Sequence, residues 1–286
     1  DYLKGFFRRR VLPLILTFYV VEWMYLAVRL LLGEKMEAMQ IVYYLTGLKT
    51  ANQNSWFVLA LPIFYMMFWV CFRFLKSEGA ALTGVFTLIL CYVLLGCSLD
   101  HLDKDMWMCG EWWYNTAVFF PLGLFLAKAE GKLVPHLKKY YLLYLVGTAA
   151  AVWGLYRYSV FAEGYFGYYC EWLPSIWGRI WRRFMTAVAQ HGAAGAFVLF
   201  VYLLGMKVKI GNRTLKFMSA MTLEFYLVHG LFVELFAYKT LDVYKPLYYI
   251  SNAFFYALAV FVCAVPVSLL LRKLVHPKVR FFPEVK

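Results

Sequence analysis

Ser219, Thr222, Tyr226 and His229 are spaced so that, at about 100° per residue, all four fall on one narrow face of a helix. They belong to the otherwise apolar run Phe217-Met218-Ser219-Ala220-Met221-Thr222-Leu223-Glu224-Phe225-Tyr226-Leu227-Val228-His229. Three hydroxyls and an imidazole on one stripe could hold a polar substrate and move a proton, because histidine is the side chain whose ordinary pKa lies near neutrality. Counted from the basic end, His229 lies ~18 Å deep at 1.5 Å per residue, close to the centre of a bilayer, where a titratable ring marks a bundle interior or a watery cavity. His229 is therefore the candidate catalytic residue, and the competing reading is a histidine that only ties helices together. Glu224 falls on the opposite face, so the helix is expected to be surrounded by polar groups on both sides, or to hold Glu224 neutral, at the centre of a bundle.

A second group is cationic. In Phe6-Phe7-Arg8-Arg9-Arg10-Val11-Leu12-Pro13 three guanidinium groups run directly into an apolar segment. Each would cost roughly 3 kcal/mol inside hydrocarbon, so they sit at a membrane surface, and the positive-inside tendency makes it the cytosolic one. Arg8, Arg9 and Arg10 are then either a topological anchor alone or also a seat for an anionic cytosolic ligand, whose phosphate oxygens match the guanidinium fork. Glu22 and Arg29 lie two turns apart on nearly the same face of the segment that follows and are expected to make each other's burial tolerable. Asn115, Gln190 and His191 are further candidates for the lining of a cavity.

The elements that must position these groups are membrane spans. Of the 286 residues 63% are hydrophobic and only 16% charged, with mean hydropathy +0.63, which no water-soluble core of this size requires. The expected fold is an all-α, polytopic integral membrane protein, a single domain over 1–286. At about 20 residues per crossing, eight transmembrane helices are expected, near 11–32, 56–75, 80–98, 112–127, 140–158, 184–206, 215–237 and 247–271. Pro121 and Gly123 mark the short fourth one as kinked or partly buried. With residues 1–10 inside, 19 of the 29 Lys and Arg fall in the stretches expected in the cytosol, 1–10, 73–79, 128–139, 207–216 and 272–286. Both ends of the sequence are then cytosolic, and the sequon at Asn212 falls on that side. The net charge of +13 is thereby explained by orientation, and no nucleic-acid partner is expected.

The outer loops differ in character. One holds Asp100, His101, Asp103, Asp105, Trp107, Glu111, Trp112 and Trp113; the other, 165–181, is dense in Tyr and Trp and is followed by Arg182 and Arg183. Aromatic rings beside polar groups suit the apolar faces and hydroxyl edges of a sugar, although a membrane-interface belt has the same composition. One histidine among loop carboxylates is a weak metal site, and none is expected. The six cysteines form no CxxC pair, but Cys109 and Cys170 both face outward, where a disulfide could join the two loops.

The order of these motifs resembles acyltransferase family 3, membrane-bound O-acyltransferases that modify sugars, lipopolysaccharide, peptidoglycan and exopolysaccharides. The resemblance rests on the basic start Phe6 to Pro13, on Asn54-Ser55-Trp56-Phe57, on Trp113 and Asn115 followed by Phe119, Phe120 and Gly123, and on Ser219 to His229. It implies a core of ten spans, of which eight would be visible, with the family's catalytic histidine in a first span upstream of Asp1 and so carried onto no position here. The family's cytosolic motif is usually Arg-x-x-Arg, whereas Pro13 follows Arg10 and Leu12 follows Arg9 at that interval. The implied activity is transfer of an acyl group, acetyl foremost, from a cytosolic acyl-CoA meeting Arg8, Arg9 and Arg10 to a hydroxyl of a cell-surface glycan or glycolipid, with no permanently bound cofactor. The implied location is the plasma or inner membrane. A transporter or flippase for a lipid-linked or anionic small molecule would share the polar cavity and basic rim, but no repeated halves are visible. A structural subunit would not need the aligned stripe, and a membrane acyltransferase of the unrelated family with an Asn/His pair remains open.

Overall fold

Runs of Leu, Val, Phe and Ala broken by few glycines make nearly every segment helical, since inside a bilayer only a helix satisfies its own backbone. The computed structural model describes residues 3–103, 106–208, 211–237 and 248–275. Asp105 and residues 276–286, the bulk of the stretch expected to end in the cytosol, lie outside the described residues. The helices are α1 (Leu12–Leu31), α2 (Ala38–Thr46), α3 (Trp56–Phe74), α4 (Glu78–Ser98), α5 (Phe119–Lys139), α6 (Tyr141–Tyr165), α7 (Ile176–Gly205), α8 (Arg213–Ala220), α9 (Thr222–Leu235) and α10 (Ala253–Val275). A two-residue parallel pair joins β1 (Phe236–Ala237) to β2 (Tyr248–Tyr249). Arg8, Arg9 and Arg10 lie in a π-helix, Phe7–Val11, which runs into α1 at Pro13 and leaves all three side chains exposed.

Among the described residues five helices, not eight, are long and apolar enough to cross a membrane: Phe7–Leu31, Trp56–Phe74, Glu78–Ser98, Ile176–Gly205 and Ala253–Val275. Three of the expected spans fail for distinct reasons. In the fourth, 112–127, a short 3-10 turn over Glu111–Trp113 delays the helix until Phe119, and the charged run from Lys128 onward then cuts its apolar length short. The fifth, 140–158, is a helix of 25 residues, long enough but diluted by Tyr, Trp and Gly and by Arg157. The seventh, 215–237, is broken at Met221 into helices of 8 and 14 residues, each short of a crossing.

The chain forms two compact units, residues 1–62 with 211–286, and residues 63–210. The first has a core of Phe18, Val21, Tyr25, Leu26, Tyr44, Leu227, Val228 and Leu231, where α1, α2 and α9 meet, closed by Ala264 and Leu271 of α10. In it α2 packs back along α1 and ends at Gly47, whose φ of +76° suits glycine and whose Cα approaches so closely that an added Cβ would lie 3.1 Å from the Phe18 ring. The second unit pairs α6 with α7 and sets α4 against α7. There Arg183, wholly buried, donates to the carbonyls of Tyr168, Cys97 and Leu99 and pairs with Glu171. One guanidinium thus satisfies the carbonyls that end α4 and those of the loop before α7, where a lone buried charge would be costly.

Candidate active site

The helix is broken between α8 and α9. Thr222 turns its hydroxyl back to the carbonyls of Met218 and Ser219, at 3.1 and 3.2 Å, across the corner. Met221, buried and with φ −119°, carries the chain round the corner. The straight stripe is therefore bent: Ser219 ends α8, while Thr222, Tyr226 and His229 belong to α9.

At this corner, within the first unit, lies a cavity of about 760 Å³. Ser219, Thr222 and Tyr226 line it, and so does Glu224, which a continuous helix would point away. Trp56 and Phe57, at the start of α3, supply aromatic faces, and Arg272, from the last turn of α10, supplies a cation. Hydroxyls, aromatic faces, a carboxylate and a guanidinium thus surround one space, a set able to hold a ligand with apolar, hydroxylic and anionic parts.

His229 does not line this cavity but lies one turn beyond Tyr226, their rings 5.9 Å apart. Its Nδ1 is 2.7 Å from the Tyr226 carbonyl and 3.2 Å from that of Phe225, and its ring stacks on Phe225 at 5.9 Å. A carbonyl only accepts, so Nδ1 carries the proton and Nε2 presents the lone pair. Its turn of α9 is pinned from outside the helix. Tyr25 Oη and Asn52 Nδ2 both donate to the Leu227 carbonyl, at 3.2 and 2.9 Å, and Gly230 leaves room for both partners.

Beneath the pin lies a buried polar network. Glu22, with no exposed surface, accepts from Ala51 N at 2.6 Å, from Ser55 Oγ at 2.6 Å and from Asn52 N at 3.4 Å. Arg29 donates to the Ala51 carbonyl at 2.6 Å and lies 3.8 Å from Glu234. Glu22 and Arg29 therefore meet across the Ala51 peptide, one holding its N–H and the other its C=O. Thr50, Ala51, Asn52 and Ser55, in the segment that carries this peptide, are buried in the first unit although the sequence reads as an outer loop. Sequence reasoning missed Asn52 and Arg272; the latter, a cation ending an apolar run, looks like any orientation anchor.

The remaining candidates fall elsewhere. Arg8, Arg9 and Arg10 are exposed in the first unit and line no part of the cavity, with Arg9 Nη2 donating to the Lys4 carbonyl at 2.7 Å. Asn115 belongs to the second unit, where its Nδ2 is 3.4 Å from Gln190 Oε1, itself 2.9 Å from Tyr168 Oη. His191 stacks on Phe119 and holds the Ala187 carbonyl at 2.7 Å. In the loops expected to lie outside, Asp100 caps Leu102 N at 2.9 Å, and His101, wholly buried, faces the Gly96 carbonyl and the Tyr114 hydroxyl, both at 3.3 Å. Burial, and after it the neighbouring Arg183, hold the His101 pKa below its ordinary 6.5. Cys109 and Cys170 are not joined: both are free thiols, Cys170 lying against the Tyr168 and Arg179 carbonyls at 3.7 and 3.8 Å.

A family model described as an acyltransferase domain matches residues 1–273. Neither the curated proteins nor the solved structures yield a match.

Proposed function

Because the chain belongs to acyltransferase family 3 and is an acyltransferase, we propose that it moves an acyl group, acetyl foremost, from a cytosolic acyl-CoA to a hydroxyl of a cell-surface glycan or glycolipid. The observation that carries the reading is the cavity at the α8/α9 corner, whose lining brings Arg272, Ser219 and Thr222 together with the rings of Trp56 and Phe57. A guanidinium suits the phosphates of a nucleotide-bearing donor, and the aromatic faces suit its ring or the acceptor sugar. The reading sets the protein in a plasma or inner membrane with both ends of the sequence in the cytosol and with Arg8, Arg9 and Arg10 as the first contact of the donor.

In the proposed step the acceptor oxygen attacks the thioester carbonyl, the carbon–sulfur bond breaks, and the hydroxyl proton passes through a base to the departing thiolate. His229 is assigned that base, since its Nε2 presents the lone pair and Tyr226 stands between it and the cavity. The test uses the protein carrying this sequence, reconstituted in vesicles and supplied with radiolabelled acetyl-CoA and a glycolipid acceptor. His229→Gln should abolish labelling with little change in melting temperature, because Gln keeps bulk and hydrogen bonding but cannot titrate near neutrality. Arg272→Gln should raise the KM for acetyl-CoA. A His229→Gln protein that melts early yet labels normally per folded molecule refutes the assignment of the base, and an unaltered KM in Arg272→Gln removes the donor from this cavity.

A further inference from the structure

At the start of α7 the arginines at 179, 182 and 183 share one side of the helix, and they are engaged to different degrees. Arg183 is taken up by the end of α4 and by Glu171. Arg182 Nη1 donates to the carbonyls of Tyr165 and Phe166, at 3.1 and 3.3 Å, where α6 ends, and its guanidinium lies over the Trp172 ring, 5.3 Å from the centroid. Its Nε and Nη2 make no hydrogen bond among the described residues. Arg179, one turn nearer the helix start, is half-buried; its Nε has no hydrogen-bond partner, and its side chain makes no ion pair among the described residues. The Cys170 thiol reaches the Arg179 carbonyl, at 3.8 Å, so this first turn packs against the loop that carries Trp172.

Trp172 is 69% exposed. Arg182, itself fixed at the end of α6, lies over one face of the ring and leaves the other open, so the indole is a platform held in place. An open ring beside a guanidinium without a counter-charge fits a ligand that has both an apolar face and an anionic group. The one exposed carboxylate in the last turn of α6, Glu163, pairs with neither arginine among the described residues, so two cations against one carboxylate leave a single positive charge, which suits a monoanion. A lipid head is placed wrongly for these groups. Trp177 and Trp181, exposed about 160° round α7 from Arg179, mark the side of this crossing helix that meets a bilayer surface, and the arginines face away from it. We propose that Trp172, Arg179 and Arg182 bind an acidic saccharide, the C–H face of a sugar stacking on the open face of Trp172 and the carboxylate of a uronic acid accepting from Arg179 and from the unused donors of Arg182. The binding site stands apart from the acyl-transfer reading; only the further step, that the acceptor glycan is itself acidic, rests on that reading.

The test is a binding measurement and needs no acyl donor. The protein in phosphatidylcholine discs is titrated with two tetrasaccharides of equal length, hyaluronan tetrasaccharide, which alternates glucuronate with N-acetylglucosamine, and neutral chitotetraose, and binding is read by saturation transfer to the sugar protons. One charge-assisted hydrogen bond corresponds to about tenfold in affinity, so the acidic sugar should bind about tenfold more tightly than the neutral one. Arg179→Gln should bring the two sugars to equal affinity. Trp172→Ala, at an exposed position where folding is not at stake, should weaken both sugars by roughly fivefold through the lost stacking. Equal affinities in the unaltered protein, an undiminished preference in Arg179→Gln, or unchanged binding in Trp172→Ala each overturn the proposal. Displacement of the acidic sugar by phosphatidylglycerol placed in the discs overturns it too and gives the arginines to a lipid head. A protein that binds the acidic sugar with this preference but transfers no acyl group keeps the site and loses only the assignment of the acceptor.

Discussion

Replacing Gly230 by Ala sets two opposing effects against each other. In an isolated helix the change favours folding by about 1 kcal/mol, because alanine has less backbone freedom to lose. In α9 the added Cβ would lie 2.6 Å from Tyr25 Oη and 2.9 Å from Asn54 Nδ2, closer than such atoms approach. Tyr25 is wholly buried and cannot swing into solvent, so its hydroxyl must give up the Leu227 carbonyl or α9 must move away from α1. Overpacking of this kind costs about 1–3 kcal/mol, and a displaced buried hydrogen bond about 1 kcal/mol more. The net expectation is a loss of about 1–3 kcal/mol, which at about 2–4 °C per kcal/mol is several degrees in melting temperature. Tyr25→Phe alone removes one hydrogen bond, at about 1 kcal/mol, but it also removes the nearer of the two clashing atoms, leaving Asn54 Nδ2 at 2.9 Å. Melting the four proteins of this cycle in detergent should therefore show that Gly230→Ala costs clearly less in the Tyr25→Phe background than in the native one. A Gly230→Ala protein as stable as the parent, or additive losses in the double variant, would refute the close approach and with it the pinning of the turn that carries His229.

Replacing Arg9 and Arg10 together by Lys keeps charge and topology but removes the bidentate fork; labelling from acetyl-CoA should fall while membrane insertion persists, and unchanged transfer with unchanged KM would reduce the pair to an anchor. Reporter fusions after Lys76, Lys139 and Lys216 should report the cytosol and those within 100–110 and 165–175 the outside; reversal at two sites would overturn the orientation. His101 gives a pH dependence with a defined sign. Its folded pKa lies below 6.5, so as pH falls through 6.5 the unfolded loop takes up a proton that the folded one refuses. Stability should thus be complete above pH 6.5 and decline below it, with a steeper fall in melting temperature for the parent than for His101→Gln; identical slopes would remove His101 as the cause.

Several features were legible because they depend on local pattern. The apolar lengths near 11–32, 56–75, 80–98, 184–206 and 247–271 reappear as crossing-competent helices, and the surface position of Arg8, Arg9 and Arg10 follows from the cost of burying them. The pairing of Glu22 with Arg29 was half legible: two-turn spacing put them on one face, but the peptide that joins them belongs to Ala51, in a segment whose burial only the packing of α2 back along α1 decides. The fourth and seventh spans were misread for the same reason. Hydropathy averages over a window, whereas the start of α5 at Phe119 and the corner at Met221 are single-residue events with no glycine or proline at the break itself. Arg272 was invisible as a site residue because a cation ending a span satisfies the orientation rule whether or not it also faces a cavity.

The corner at Met221 changes what the polar stripe can do. On a continuous helix the amides of Thr222, Leu223 and Glu224 would be ordinary rungs of the ladder, and the stripe would offer side chains alone. The break makes these residues the first turn of α9, with no side-chain cap, so the partial positive charge of a helix start lies against the cavity that the three of them line. Arg272 reaches the same space from α10. In the proposed reaction negative charge gathers on the thioester oxygen as the acceptor attacks, and a helix start together with a guanidinium is a stabiliser of that charge that requires no histidine. Two roles are then separable by kinetics. Arg272→Gln, which removes the guanidinium beside the helix start, should leave slow transfer through the base, whereas His229→Gln should abolish it with the guanidinium in place.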